Sequence, residues 1–168
     1  MHEEIYARYF NLDGETGALN LQDRSNQNNS GTFWRIRRVV PHRGYHKTYV
    51  LENRMNGTFN GSFLDVNSNT GALRMSATHE ADTTNWLIRY AGKFWGYDAY
   101  VIQHLTYTRG GFDMMFLSVD PDTYQPVLRR KLNDTSYWFI KAADDLPTNI
   151  LGGQGIGAWT RGEDFAPW

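Results

Sequence analysis

Apolar and polar residues alternate with a period of two along most of this chain, in runs short enough to be strands. Ile5, Ala7 and Tyr9 mark the first run, over 5–12. A turn follows at Asp13-Gly14-Glu15-Thr16-Gly17, whose residues tolerate positive φ or bond their own backbone. Leu19 and Leu21 then face one way, with Asn20 and Gln22 facing the other. A polar stretch from Asp23 to Gly31 leads into a strand around Trp34, where Arg35, Arg37 and Arg38 surround Ile36 and Val39 as a basic stripe. Thr48-Tyr49-Val50-Leu51-Glu52-Asn53 and Ala99-Tyr100-Val101-Ile102-Gln103-His104 share a Tyr-Val-aliphatic centre and read as equivalent strands. No helical period of useful length occurs, so an all-β chain is expected.

The pattern repeats. Trp34, Trp86 and Trp138 are spaced 52 residues apart, each followed by a hydrophobic pair straddling one position, in Phe33-Trp34-Arg35-Ile36, Asn85-Trp86-Leu87-Ile88 and Tyr137-Trp138-Phe139-Ile140. Upstream of each lies a matching hairpin: Tyr9 to Thr16, Phe63 to Thr70 and Phe116 to Thr123. The first two continue almost identically, as Gly17-Ala18-Leu19-Asn20-Leu21 and Gly71-Ala72-Leu73-Arg74-Met75. A fixed period of this size marks repeated supersecondary units. The reading is one domain over 1–168, with units of about 1–40, 41–92 and 93–145 and a closing segment at 146–168. Unit one has no room for an opening strand. Trp159-Thr160-Arg161-Gly162 continues the period from Tyr107-Thr108-Arg109-Gly110, so a strand over 157–163 beside the first strand is expected; the alternative is a loose glycine-rich tail.

Composition narrows the classes. The 168 residues suit one domain, and 15% aromatic content supports a substantial core at only 40% hydrophobic residues. A net charge of −1 argues against nucleic acid or a membrane surface as a general partner. The absence of cysteine and of a basic, apolar leader points to a cytoplasmic location, with non-classical release left open. No stretch is long enough to insert in a bilayer as a helix.

Three four-stranded units with a Leu-Asp-Val-like segment, a Gly-Ala-Leu-like strand and a terminal tryptophan resemble a β-trefoil. More narrowly, the pattern is similar to the ricin B-type lectin family, including cysteine-free fungal members, over about residues 5 to 143. The resemblance implies a carbohydrate-binding module with no catalytic activity and a glycan or glycoprotein partner. A homodimer is compatible with it. A galactose-type site in that family uses the aspartate of Leu-Asp-Val, residues of the next strand and those before the tryptophan. Unit two offers Asp65, Arg74, Ser76 and Thr84; unit one Asn11, Asn20, Gln22 and Thr32; unit three Ser118, Val127, Arg129 and Ser136. The stacking aromatic and the glutamine of Gln-x-Trp are missing from all three, so a typical galactose site is not expected. The alternative within the fold is a protease inhibitor of Kunitz or mycocypin type, presenting Pro41-His42-Arg43-Gly44.

Unit two alone keeps the acid, so the expected ligand-binding residues are Asp65 and Arg74, with Asn67 and His79 as side walls. Trp95 or Tyr97 would supply the ring that stacks on a sugar. Asp65 would accept from two sugar hydroxyls, and the competing reading is a plain Asp65–Arg74 cross-strand ion pair. Asp65-Val66-Asn67-Ser68-Asn69 starts like a calcium loop, but Thr70 stands at the glycine position and no bidentate glutamate follows. His42 and His46 lie in a loop, where a spacing of four does not make a metal site. No metal, cofactor or catalytic residue is expected.

Overall fold

The computed structural model describes residues 5–23, 30–39, 47–54, 57–79, 82–94, 96–106, 113–141 and 154–161. Twelve strands run through them in order: β1 (Ile5–Leu12), β2 (Leu19–Asp23), β3 (Phe33–Val39), β4 (Thr48–Asn53), β5 (Phe63–Val66), β6 (Leu73–Ser76), β7 (Asn85–Phe94), β8 (Tyr97–Leu105), β9 (Phe116–Val119), β10 (Pro126–Arg129), β11 (Tyr137–Lys141) and β12 (Gln154–Arg161). Single 3₁₀ turns, Ser30–Thr32, Asp82–Thr84 and Asp134–Ser136, lead directly into β3, β7 and β11. The alternation did not announce these turns, because three residues are too few to show a period. Among the described residues there is no α-helix, and no helix long and apolar enough to cross a membrane.

Six strands close on themselves. β3 pairs with β4, β4 with β7, β7 with β8, β8 with β11, β11 with β12, and β12 with β3, all antiparallel. The remaining six form three hairpins, β1–β2, β5–β6 and β9–β10, each joined to the ring through β12, β4 and β8 respectively. A closed ring has no free edge to pair with another chain. β12 is what closes it, since it lies against β1, β3 and β11 at once. Its register places Ile5 opposite Arg161 and Tyr9 opposite Gly157. The strand thus begins earlier than the 157–163 expected. Trp159–Arg161 lie within it, whereas β8 ends at Leu105, so the period match to Tyr107–Gly110, itself outside the described residues, is not what aligns these strands.

The tryptophans fill the ring. Trp34, Trp86 and Trp138 are fully buried. Each sits between two strands: Trp34 opposite Gln154 and Asn53, Trp86 opposite Tyr49 and His104, Trp138 opposite Tyr100 and Ala158. Each indole N–H donates to a carbonyl of a hairpin strand, Phe10 at 2.9 Å, Leu64 at 3.1 Å and Leu117 at 2.8 Å. That bond fastens each hairpin to the ring and satisfies a buried donor. Around them pack Phe10, Leu64 and Leu117, then Leu12, Val66 and Val119, from equivalent places on β1, β5 and β9. Burying one indole removes about 150–250 Å² from water, worth roughly 4–6 kcal/mol before the entropic cost of ordering it.

The hairpin turns are also alike. Asp13, Asn67 and Asp120 each accept through Oδ1 from the backbone N–H groups two and three residues on. The next residues, Thr16, Thr70 and Thr123, accept from the backbone of Ala18, Ala72 and Gln125. The turn then needs a left-handed residue, met by Gly17, Gly71 and, in the third case, Tyr124 at φ 56°.

One boundary differs from expectation. The unit boundary expected at 92/93 falls inside a long β7–β8 hairpin, paired out to Phe94 opposite Tyr97. A bulge between Tyr90 and Gly92 shifts the register, which breaks the alternation that would have revealed the hairpin.

Candidate functional site

Asn11, Asp65 and Ser118 occupy the same place on β1, β5 and β9, and all three are buried. Each is one residue beyond the strand position whose carbonyl takes the indole N–H, so each points to the opposite side from the core residue. A buried polar side chain needs a partner, and the three find different ones. Asn11 Nδ2 donates to Asn20 Oδ1 at 2.9 Å. Ser118 and Ser136 share a hydroxyl–hydroxyl bond of 2.7 Å. Asp65 Oδ2 accepts from Arg74 Nε at 2.6 Å, the two residues being direct partners across β5–β6.

That pair is the only one of the three that carries charge. Asp65 is 2% exposed, while the Arg74 side chain is 54% exposed. Asp65 Oδ1 has no hydrogen-bond partner among the described residues. The carboxylate is therefore a buried anchor, and the guanidinium is the accessible group. With Nε engaged and the side chain exposed, the two terminal nitrogens of Arg74 remain a planar pair of donors. This is the cross-strand ion pair that the sequence offered as the competing reading.

The other expected residues are placed as follows. Asn67 uses its Oδ1 to hold its own turn. His79 is exposed, with its ring edge-on to Phe63 at 5.0 Å, beside the strand that carries Asp65. Tyr97 is 51% exposed at the tip of the β7–β8 hairpin, where its described ring neighbour is Phe139 on β11 at 6.3 Å. Trp95 lies outside the described residues, as do Pro41–Gly44, His42 and His46. The structure thus brings Asp65 and Arg74 onto one hairpin with His79 against its first strand, and it seats Tyr97 by Phe139 on β11.

Part of the basic stripe read from the sequence belongs to a neighbouring charge cluster whose acid, Glu52, the sequence did not single out. Arg35 on β3 stands opposite Glu52 on β4, Glu52 opposite Phe63 on β5, and Phe63 opposite Ser76 on β6. Cross-strand partners share a face, so one surface runs over four strands. Glu52 is nearly buried and draws in Arg54 at 3.1 Å, Arg37 at 3.5 Å and Arg35 at 4.0 Å. Arg37 also lies over the Phe63 ring, 5.7 Å from its centroid. The basic stripe read from the sequence splits accordingly: Arg35 and Arg37 share this face, while Arg38 follows Trp34 and Ile36 on the other pleat. Glu52 could have been found only by knowing the β3–β4–β5 register, which pairs residues far apart in the chain.

No family model matches the chain, and no curated protein does. Among solved structures, the chain is similar to a Polyporus squamosus lectin bound to the human-type influenza-binding epitope Neu5Aca2-6Galb1-4GlcNAc. The identity is 12% and the TM-score 0.47, with 86% of this chain and 52% of that chain covered. The chain thus spans about half the length of that lectin.

Proposed function

We propose that this chain is a β-trefoil carbohydrate-binding module without catalytic activity, built of three units and carrying its glycan site on the β5–β6 hairpin of the second. The fold reading rests on the closed six-stranded ring with three equivalent hairpins and three equivalent indole bonds. The observation that carries the site is the Asp65–Arg74 pair. A buried carboxylate fixes an exposed guanidinium, which can donate two parallel bonds to vicinal hydroxyls or to an acid group of a sugar. His79, exposed and braced on Phe63, supplies a ring edge beside it. Neither of the other hairpins has a charged pair at this place: Asn11 and Ser118 are answered by neutral partners. No observation favours the inhibitor reading.

A glycan array probed with the wild type and with Arg74→Gln tests the proposal. The wild type is expected to bind a defined set of glycans, and Arg74→Gln to lose them while melting as a folded protein. A wild type that binds nothing on the array refutes the glycan reading, and an Arg74→Gln variant that binds normally moves the site off this hairpin. Asp65→Ala is a poor substitute. It removes a buried side chain and frees the arginine, so it should lower the melting temperature as well.

A further inference from the structure

We infer that the face formed by β3, β4 and the residue after β4 is an anion-binding subsite, made by Arg35, Arg37 and Arg54, that selects sulfated or carboxylated glycans. The inference extends the proposed glycan-binding role, on which its choice of ligand rests. Among the described residues one carboxylate, Glu52, stands among three guanidiniums, a local surplus of two positive charges in a chain whose net charge is −1. A structural ion pair needs one partner. Here the nearest arginine, Arg54, already hydrogen-bonds Oε1 at 3.1 Å.

The other two are held by field rather than by hydrogen bonds. Arg35 at 4.0 Å is beyond hydrogen-bond reach, and Arg37 Nε at 3.5 Å is buried without a hydrogen-bond partner. Both side chains stay accessible, at 38% for Arg35 and 42% for Arg37. The Arg37 guanidinium carbon lies over the Phe63 ring at 5.7 Å, a contact that favours this position before any ligand arrives. A planar fork of donors at fixed orientation matches the oxygens of a sulfate or carboxylate. Beyond Phe63 on the same four-stranded face lies Arg74, the exposed group of the proposed glycan site. A sugar bound at Arg74 can therefore extend its acid group across Phe63 toward Arg37.

The test is calorimetric titration of the full chain with a sulfated heparin-derived hexasaccharide, its desulfated counterpart, sodium sulfate and a duplex DNA of matched charge. The sulfated sugar should bind at least about tenfold more tightly than the desulfated one, the size expected for one or two charge-assisted hydrogen bonds. Added salt should erode that preference, as it does for exposed charges. The double variant Arg35→Gln/Arg37→Gln should lose the preference for sulfate while keeping the Arg74-dependent binding seen on the array. Arg35→Lys/Arg37→Lys, which keeps charge but not the fork, should lose part of it. Equal binding of the two sugars by the wild type overturns the inference, and so does an unchanged preference in the glutamine variant. DNA bound as tightly as the sulfated sugar overturns the choice of ligand. Sodium sulfate bound with no sugar on the array would uphold the anion site while refuting the glycan reading, so the two can fail separately.

Discussion

At the scale of single residues, the indole N–H bonds decide how the hairpins sit. Each tryptophan does two things at once: it fills the ring with apolar surface and it satisfies a buried carbonyl on β1, β5 or β9. Trp86→Ala should therefore destabilise by roughly 3–5 kcal/mol, the range for large-to-small changes in a packed core. Trp86→Phe keeps most of the ring but orphans Leu64 O, a loss of about 1–3 kcal/mol. Urea unfolding of the two variants measures both, and a Trp86→Phe variant as stable as the wild type would show that the hydrogen bond contributes nothing. The aromatic character of these positions was legible from their spacing alone. That Asp65 is a buried anchor was not, because alternation tells which pleat a side chain takes and not how deeply a neighbouring strand covers it.

At the scale of the element, the three hairpin turns differ in what they titrate. Backbone N–H bonds, from Thr16 first in one turn and Asp122 first in the other, hold Asp13 and Asp120 below the ordinary carboxylate value of 3.8. A carboxyl whose folded value is depressed stabilises the fold above its unfolded value. The contribution disappears as pH falls from 3.8 through the lower folded value. Asn67 makes the same turn with a side chain that does not titrate in this range. Asp13→Asn/Asp120→Asn should then keep all three turns at neutral pH and flatten the loss of stability below pH 3.8. Thermal melts at descending pH check this, and an acid limb as steep as the wild type's would contradict it. The turns were readable in the sequence, since Asx chemistry is local. The β7–β8 hairpin was not, because a bulge at Tyr90/Gly92 interrupts the period by which strands are recognised.

At the scale of the whole molecule, closure depends on one late strand. β12 joins β11 to β3 and also covers β1. Truncation after Asp145 should leave three strands without a partner on one side and expose the core around Phe10 and Trp34. The expected outcome is loss of a cooperative thermal transition and concentration-dependent aggregation, followed by light scattering. A truncated chain that melts like the full one would place the closing role elsewhere. The strand that pairs with β1 comes from the far end of the chain, as the sequence led us to expect.

The sequence by itself determined most of the strands, the three Asx hairpin turns and the three tryptophan positions, because each rests on interactions within a few residues or on a repeat visible along the chain. Alternation assigns faces, Asx and glycine residues make turns, and the largest apolar side chains must go inside. Only the tertiary structure decided which strands meet. Register between distant strands set Glu52 among Arg35, Arg37 and Arg54, and burial left the acid of the Asp65–Arg74 pair inside and its base exposed. Electrostatic environment depends on distance and burial in space, and neither is encoded at any fixed spacing along the chain.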